Sequence, residues 1–371
     1  MMPLKILTIV GARPQFVKCA ALRKVIDASD AVTEVLVHTG QHYDFGMSQV
    51  FFDQLGIRPP DHMLGIGGKS HGAMTGEMLA AIETLILAER PDAVLVYGDT
   101  NSTLAGALAA SKLHVPVIHV EAGLRSFNKH MPEEINRILT DHVSDLLFCS
   151  TTESVRNLAN ENIRKGVHHV GDIMYDVTRS VMGLVQPERA RASFGQPSKR
   201  LAMCTIHRAE NSSDPRRLQK VVDYVRGFAD SYAIVLPLHP GTRTKIMAAG
   251  IDTTGIEVID PLPYLETQEL LAASDLILTD SGGMQKEAYF HGVDCITLRD
   301  ETEWIETVEN GWNMLWTTEG RKPKRPINEY GDGHSAERML ALMLESPAIG
   351  RTRFVPPANQ EAALVDRKQQ P

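Results

Sequence analysis

Leu276 to Glu287 reads Leu-Ile-Leu-Thr-Asp-Ser-Gly-Gly-Met-Gln-Lys-Glu: a short strand, a turn and the start of an amphipathic helix. A Ser281-Gly282-Gly283 turn at a helix start leaves several backbone N–H groups unpaired and free of Cβ shielding. With the positive end of the helix dipole, these groups make an anion site. Glu287, on the first turns of the same helix, can accept the two hydroxyls of a ribose. Taken alone, the stretch is equally a strand–turn–helix with a serine cap.

Other chemistry-bearing residues follow apolar runs elsewhere. Gly11-Ala12-Arg13-Pro14 leads into Lys18, and two cations at a helix mouth oppose the dipole unless an anion lies between them. Asp99 follows Ala93–Tyr97, where it can cap a helix or act as an acid or base. Glu121 ends Val117–Val120, a costly place for a carboxylate unless paired or used, and Arg125 is available as an ion-pair partner. Glu133 and Glu134 open a helix, where the dipole alone favours them. His207 with Arg208 offers a cationic pair to a phosphate, and His239 follows another strand. Polar Thr39-Gly40-Gln41-His42-Tyr43-Asp44 adds hydrogen-bonding capacity.

The elements that must position these groups alternate almost from end to end, as in parallel α/β architecture. In the first half, strands are expected at Lys5–Val10, Glu34–His38, Ala93–Tyr97, Val117–Val120 and Asp145–Cys149. Between them, helices are expected at Gln15–Ala28, Met74–Ala88, Ser102–Leu113, Pro132–Val143 and Glu153–Glu161. In the second half, strands fall at Leu201–Ile206, Ala233–Pro237, Ile256–Ile259, Asp275–Thr279 and Cys295–Thr297. Its helices fall at Arg216–Ala229, Tyr264–Ala273, Gly283–His291 and Glu303–Glu309, with a last one at Ser335–Leu344. The expected layout is an N-terminal Rossmann-like domain over residues 1–171 and a C-terminal one over 172–345. The polar tail 346–371 either packs back on the first domain or is disordered. Open sheets of this type bind ligands beyond the C-terminal ends of their strands, which is where the groups above stand.

Composition narrows the function. The chain has 371 residues, 43% hydrophobic and 23% charged, enough for large cores and two domains. No run of about 18 apolar residues exists, and the N-terminus lacks a signal-peptide layout, so a cytoplasmic protein without membrane association is expected. Net charge is −8 with no basic stripe, which argues against nucleic acid. Cys19, Cys149, Cys204 and Cys295 are scattered, and no metal-ligand spacing occurs, so neither metal nor cofactor is expected. Gly68-Lys69-Ser70 resembles the end of a P-loop, but Met63 stands where its first glycine belongs. No Gly-x-Gly-x-x-Gly follows the first strand, against a dinucleotide oxidoreductase.

In combination and in order, the motifs closely resemble those of the non-hydrolysing UDP-N-acetylglucosamine 2-epimerases. They are Gly98-Asp99-Thr100, Glu121-Ala122-Gly123-Leu124-Arg125, Pro132-Glu133-Glu134-x-Asn136-Arg137, His207-Arg208-x-Glu210-Asn211 and Asp280-Ser281-Gly282-Gly283-x-Gln285-x-Glu287. The resemblance runs from Gly-Ala-Arg-Pro to Tyr330-Gly331-Asp332-Gly333. It implies a GT-B fold, two Rossmann-like domains facing across a cleft, usually in a homodimer. It also implies inversion at C2 of a UDP-hexosamine by elimination of UDP and re-addition to a 2-acetamidoglucal. On that resemblance Asp99, Glu121 and Glu133 match catalytic carboxylates, while Lys18, Arg13, Arg137 and His207 match positions near the diphosphate or reacting sugar. Ser281, Gly282 and Gly283 would hold phosphate, and Glu287 the ribose. Gln41, His71 and His239 lie near positions of an activating second site found in some members, with His71 in place of the usual Gln.

One departure redirects the substrate. Arg299-Asp300-Glu301-Thr302-Glu303-Trp304-Ile305-Glu306 carries Trp304-Ile305 where the common pattern has Arg-Pro, and the loop before Glu133 carries Lys129 and His130. Thr302-Glu303-Trp304-Ile305-Glu306 resembles the branch acting on UDP-2,3-diacetamido-2,3-dideoxy-glucuronate, an intermediate of surface polysaccharide synthesis, with UDP-GlcNAc itself as the alternative substrate. The glucuronate carboxylate would meet a basic residue such as Lys129. A GT-B glycosyltransferase and a non-catalytic UDP-sugar sensor are the competing readings. Neither needs three carboxylates at the strand ends of one domain.

Overall fold

The computed structural model describes residues 3–41, 56 and 58–349, apart from the side chains of Arg13 and Ala209. The polar run 42–44 and the tail from residue 350 lie outside the described residues. The chain forms two compact units, Met1–Asp176 with Glu329–Pro371, and Val177–Asn328.

In the first unit β1 (Leu4–Val10) leads to α1 (Arg13–Asp27), β2 (Val32–His38), β3 (His62–Met63) and α2 (His71–Glu89). Then come β4 (Ala93–Tyr97), α3 (Asn101–Lys112), β5 (Val117–Val120), α4 (Pro132–Val143), β6 (Leu146–Cys149), α5 (Thr152–Asn160) and β7 (Val167–His169). Among the described residues the sheet order is β3-β2-β1-β4-β5-β6-β7, with every pairing parallel. Strand side chains alternate between faces, and both faces here are apolar because helices cover both. From β1, Ile6 and Val10 pack with Phe16 and Leu22 of α1, whereas Leu7 and Ile9 pack with Met78 and Ile82 of α2 and Ala105 of α3. Strand order reverses between β1 and β4, so a crevice opens beyond their C-terminal ends.

Helix α6 (Ile173–Met182) carries the chain into the second unit. There α7 (Pro187–Phe194), β8 (Arg200–Thr205), α8 (Ala209–Ser212), α9 (Pro215–Arg226), β9 (Tyr232–Pro237), α10 (Pro240–Ala248) and β10 (Ile256–Ile259) follow. They are succeeded by α11 (Tyr264–Ala273), β11 (Leu276–Thr279), α12 (Gly282–Phe290), β12 (Asp294–Thr297), α13 (Ile305–Glu309) and β13 (Asn313–Leu315). The sheet order β10-β9-β8-β11-β12-β13 repeats the first unit's pattern, with its reversal between β8 and β11. Ala202, Cys204 and Ile206 pack with Leu218, Val221 and Val222 of α9. Leu201 and Met203 face Leu270 and Leu271 of α11.

The compact units divide at 176/177 and at 328/329, where the sequence reading divided the chain at 171/172 and 345/346. Helix α14 (Ser335–Glu345), assigned by sequence order to the second domain, belongs to the first unit. Ala336, Met339, Leu340 and Met343 enter the core beside Ile6, Phe16 and Leu22. The carboxylate of Asp176 accepts the Ala336 N–H at 2.7 Å, fixing the start of α14. The short edge strands β3, β7 and β13, and helices α6, α7, α8 and α10, lie outside the expected elements. Helix α13 begins two residues later than expected, because the Trp304 N–H is taken by Thr302 Oγ1 at 3.1 Å. All four cysteines are buried and unbridged. No helix among the described residues is long and apolar enough to cross a membrane.

If α14 completes the first core, Met339→Ala should cost about 2–5 kcal/mol, as for other buried large-to-small changes. Leu344→Ala, on the exposed face of the same helix, should stay within about 0.5 kcal/mol. Urea unfolding of both variants checks this, and equal losses would refute the packing.

Candidate active site

At the first switch point one buried amide ties two strand ends together. Gln15 Oε1 accepts the N–H groups of Gly11 and Ala12 at 2.8 and 3.0 Å, and its Nε2 donates to the Tyr97 carbonyl at 2.7 Å and Thr103 Oγ1 at 2.9 Å. A Cβ on Gly11 would lie 2.1 Å from Thr39 Oγ1 and 2.2 Å from Ser102 Oγ, so only glycine fits there.

Around this seam stand the expected carboxylates. Glu121 pairs with Lys18 of α1, and both side chains are nearly buried. Arg125, the alternative partner, is occupied elsewhere, with Asp141 at 2.7 Å and Glu161 at 2.7 and 2.8 Å. Glu121 follows β5 with φ of +71°, a left-handed backbone that a non-glycine residue holds only under constraint. Gly98 opens the space beside it, since a Cβ there would stand 3.5 Å from Glu121 Oε2 and 3.7 Å from Lys18 Nζ. The next strand end is braced by His119, whose ring bridges Asp141 Oδ1 at 2.7 Å and the Gly98 carbonyl at 2.8 Å. Burial would raise the Asp141 carboxyl, but His119 and Arg125 together hold it below the usual range.

Asp99 is bound by Arg137 of α4, whose other arm holds Glu134 at 2.7 Å. Asn136, one residue earlier, donates to the Asp99 carbonyl at 2.9 Å and to Asn101 Oδ1 at 3.2 Å. One helical turn therefore fixes Asp99 from two sides. Glu133, half-buried on that turn, has no hydrogen bond or ion pair among the described residues. His71 reaches the same network through Asn101 at 3.1 Å, and Gln41 Oε1 accepts from Ser102 N and Oγ at 3.0 and 2.8 Å. Lys129 is exposed on the loop before α4. Arg13 opens α1 at this edge, its side chain outside the described set.

In the second unit the organising group is Asp280, buried at the end of β11. It accepts the N–H groups of His207 and Arg208 at 3.1 and 3.0 Å, the Asn211 amide at 3.2 Å, and His207 Nδ1 at 3.0 Å. Burial alone would raise its carboxyl, yet these donors hold it below the ordinary value. With Nδ1 bound to Asp280, the neutral form of the half-exposed His207 ring presents Nε2 as its free acceptor. Ser281 caps α12 by accepting the Met284 N–H at 3.4 Å, and Gly283 leaves open space above the turn. A Cβ on Gly282 would lie 2.6 Å from Glu303 Oε1 and 3.0 Å from Trp304 Nε1, so the glycine lets the 303–304 segment close on the turn.

Trp304 is only 3% exposed, its ring under the buried Lys286 ammonium at 3.7 Å. It shapes the turn from beneath. Glu287 is held by Gln268 Nε2 at 2.7 Å, and Gln268 Oε1 takes His291 Nε2 at 2.8 Å. His239 caps α10, its Nδ1 accepting the Gly241 N–H at 3.2 Å. Sequence reasoning missed Asp280, Glu134 and Gln15 as organisers. Gln15 and Asp280 each join the two strand ends that flank a switch point, and Glu134 holds the loop leading into its own helix.

Burial pushes His291 down to about 4 from 6.5, so the folded protein keeps it neutral. A histidine depressed in the fold favours unfolding as pH falls through 6.5 towards 4, by up to about 2 kcal/mol at pH 5. His291→Gln should flatten that part of the urea-stability profile between pH 7 and 5. An unchanged slope would refute it.

Comparison with known proteins places this geometry. The family model "UDP-N-acetylglucosamine 2-epimerase" matches residues 24–344. The chain is 53% identical over 317 residues to UDP-2,3-diacetamido-2,3-dideoxy-D-glucuronate 2-epimerase of Pseudomonas aeruginosa, covering 84% of this chain and 88% of that one. It is 44% identical to a UDP-N-acetylglucosamine 2-epimerase homolog of Methanococcus maripaludis, over 92% of this chain and 99% of the relative. The crystal structure of the Methanocaldococcus jannaschii UDP-GlcNAc 2-epimerase in complex with UDP-GlcNAc and UDP superposes with a TM-score of 0.78, at 36% identity and full coverage of both chains. The fold is of the GT-B class, built from two Rossmann-like units. The chain belongs to the UDP-N-acetylglucosamine 2-epimerase family, whose members are isomerases of nucleotide sugars.

Proposed function

We propose that this protein inverts C2 of UDP-2,3-diacetamido-2,3-dideoxy-glucuronate, in the synthesis of a surface polysaccharide. The observation that carries the reading is the set of three carboxylates at the C-terminal edge of one sheet, two of them paired with cations, Glu121 with Lys18 and Asp99 with Arg137. The likeness to the Pseudomonas aeruginosa protein and the exposed Lys129, a cation available to a sugar carboxylate, support this substrate over UDP-GlcNAc.

The C2 proton is not next to a carbonyl, so direct deprotonation and reprotonation is closed. In the proposed path a base takes the C2 proton as the C1–O bond to UDP breaks, leaving a C1=C2 double bond. A proton then returns to C2 on the opposite face, and the β-phosphate oxygen re-forms the bond to C1. Two faces need two proton-handling groups, which Asp99, Glu121 and Glu133 provide. Lys18 and Arg137 offset the developing charge. Arg13, His207 and the Ser281-Gly282-Gly283 turn serve the diphosphate, and Glu287 serves the ribose. No cofactor or metal enters this scheme.

We also infer a cytoplasmic homodimer. Four buried free thiols fit a reducing compartment. Ile135 and Leu139, one turn apart on α4 and 46% and 44% exposed, suit a self-association face. Sedimentation should show a dimer that Ile135→Glu with Leu139→Glu dissociates, and a wild-type monomer would overturn this.

Incubation with the diacetamido-glucuronate nucleotide in deuterated water should place deuterium at C2 with UDP retained in the product. No incorporation with this sugar or UDP-GlcNAc would overturn the epimerase reading. Glu121→Gln should lower kcat by about 100-fold or more while UDP binding persists. Full activity in that variant would remove Glu121 from the chemistry.

A further inference from the structure

The loop between β5 and α4 contains an apolar side chain in an expensive setting. The Phe127 side chain is 78% exposed, and its backbone φ is +59°. The left-handed region is unfavourable for a bulky residue, and a ring in water recovers none of that cost by packing. Single exposed apolar residues are ordinary. A strained one held by a buried charge is not.

That charge is Glu134, fully buried on the first turn of α4. Its Oε1 accepts the Phe127 N–H at 2.8 Å. Its Oε2 accepts the Ser126 N–H and Oγ, both at 3.0 Å, and Arg137 Nη1 at 2.7 Å. Four donors saturate the carboxylate, and three of them come from Ser126 and Phe127. The loop conformation is thus fixed by the residue next to Glu133 and by the guanidinium that holds Asp99. Phe127 is presented outward on the loop that this helical turn holds, the turn that also carries Glu133 and the Arg137 bound to Asp99.

We propose that Phe127 is a substrate-contact residue that sets specificity. Its ring packs on the acetamido-bearing face of the hexosamine, and Glu134 is the positioning residue that holds it there. An acetamido group offers a methyl and a planar amide, apolar area that an aromatic ring covers well and a free hydroxyl does not supply. This assignment rests on the epimerase reading above.

Phe127→Asn tests it, because Asn adopts left-handed backbone readily and removes the ring alone. On the nucleotide sugar that the wild type epimerises, KM should rise about tenfold or more while kcat stays within about threefold. Phe127→Leu, which keeps an apolar side chain, should recover most of the loss, and affinity for UDP alone should be unchanged in both. An unaltered KM in Phe127→Asn overturns the proposal. So does a fall in kcat at constant KM, an equal loss of UDP affinity, or a change of oligomeric state. Wild-type inactivity on both nucleotides in deuterated water overturns the epimerase reading itself, an outcome distinct from parity of the variant.

Discussion

A buried guanidinium must be matched by negative charge, and Arg137 meets that constraint with two carboxylates at once. Leaving the buried Arg137 or Glu134 unpaired would cost several kcal/mol, whereas Asp99 is partly exposed. Asp99 and Glu134 are therefore not independent: whatever fixes α4 fixes both, and through Glu134 the loop that precedes it. The same logic runs outward from Asp141, which gathers His119, Arg125 and the Gly123 N–H at one strand end. The acid–base groups are set by a lattice of compensated charge, with Gln15 sewing β1 to β4 beneath it.

The second unit solves the same problem with hydrogen-bond donors. Asp280 is buried among two backbone N–H groups, an amide and an imidazole, which suffices to keep a carboxylate charged without a guanidinium. The His207 loop after β8 is ordered by a residue of β11's turn, so the two strands flanking the reversal of sheet order define one local site. Trp304 and Lys286 lie under that site. A substitution at Trp304 acts first on the packing of the Ser281–Gly283 turn, through Gly282, and on a buried ammonium that loses its aromatic face.

Much of this was legible in the sequence. The central strands β4 and β5 are apolar on both faces and end at Gly or Glu, and the edge strand β10 is set off by Gly255 and Asp260, so all three match their expected bounds, as do α4 and α11. What periodicity could not carry were the short edges: β3 is two residues long, and β7 and β13 are three. Pro240-Gly241 masked α10, because both residues read as a turn although proline suits a first helical position. Candidate site residues were found because they end strands. Their partners were not, since Arg125 lies four residues from Glu121 whereas Lys18, the true partner, lies 103 away. Glu134 was discounted on dipole grounds, which are sound for an exposed carboxylate and silent about a buried one.

The return of α14 to the first unit has a consequence for synthesis. A chain made from its N-terminus exposes the α14-facing side of Ile6, Phe16 and Leu22 until residues beyond Ser335 have left the ribosome. The second unit, continuous from Val177 to Asn328, has no such debt to a distant segment. Vectorial synthesis therefore lets the inserted unit close its core first. The unit that begins the chain finishes last, and premature termination anywhere before α14 leaves it with an open apolar face.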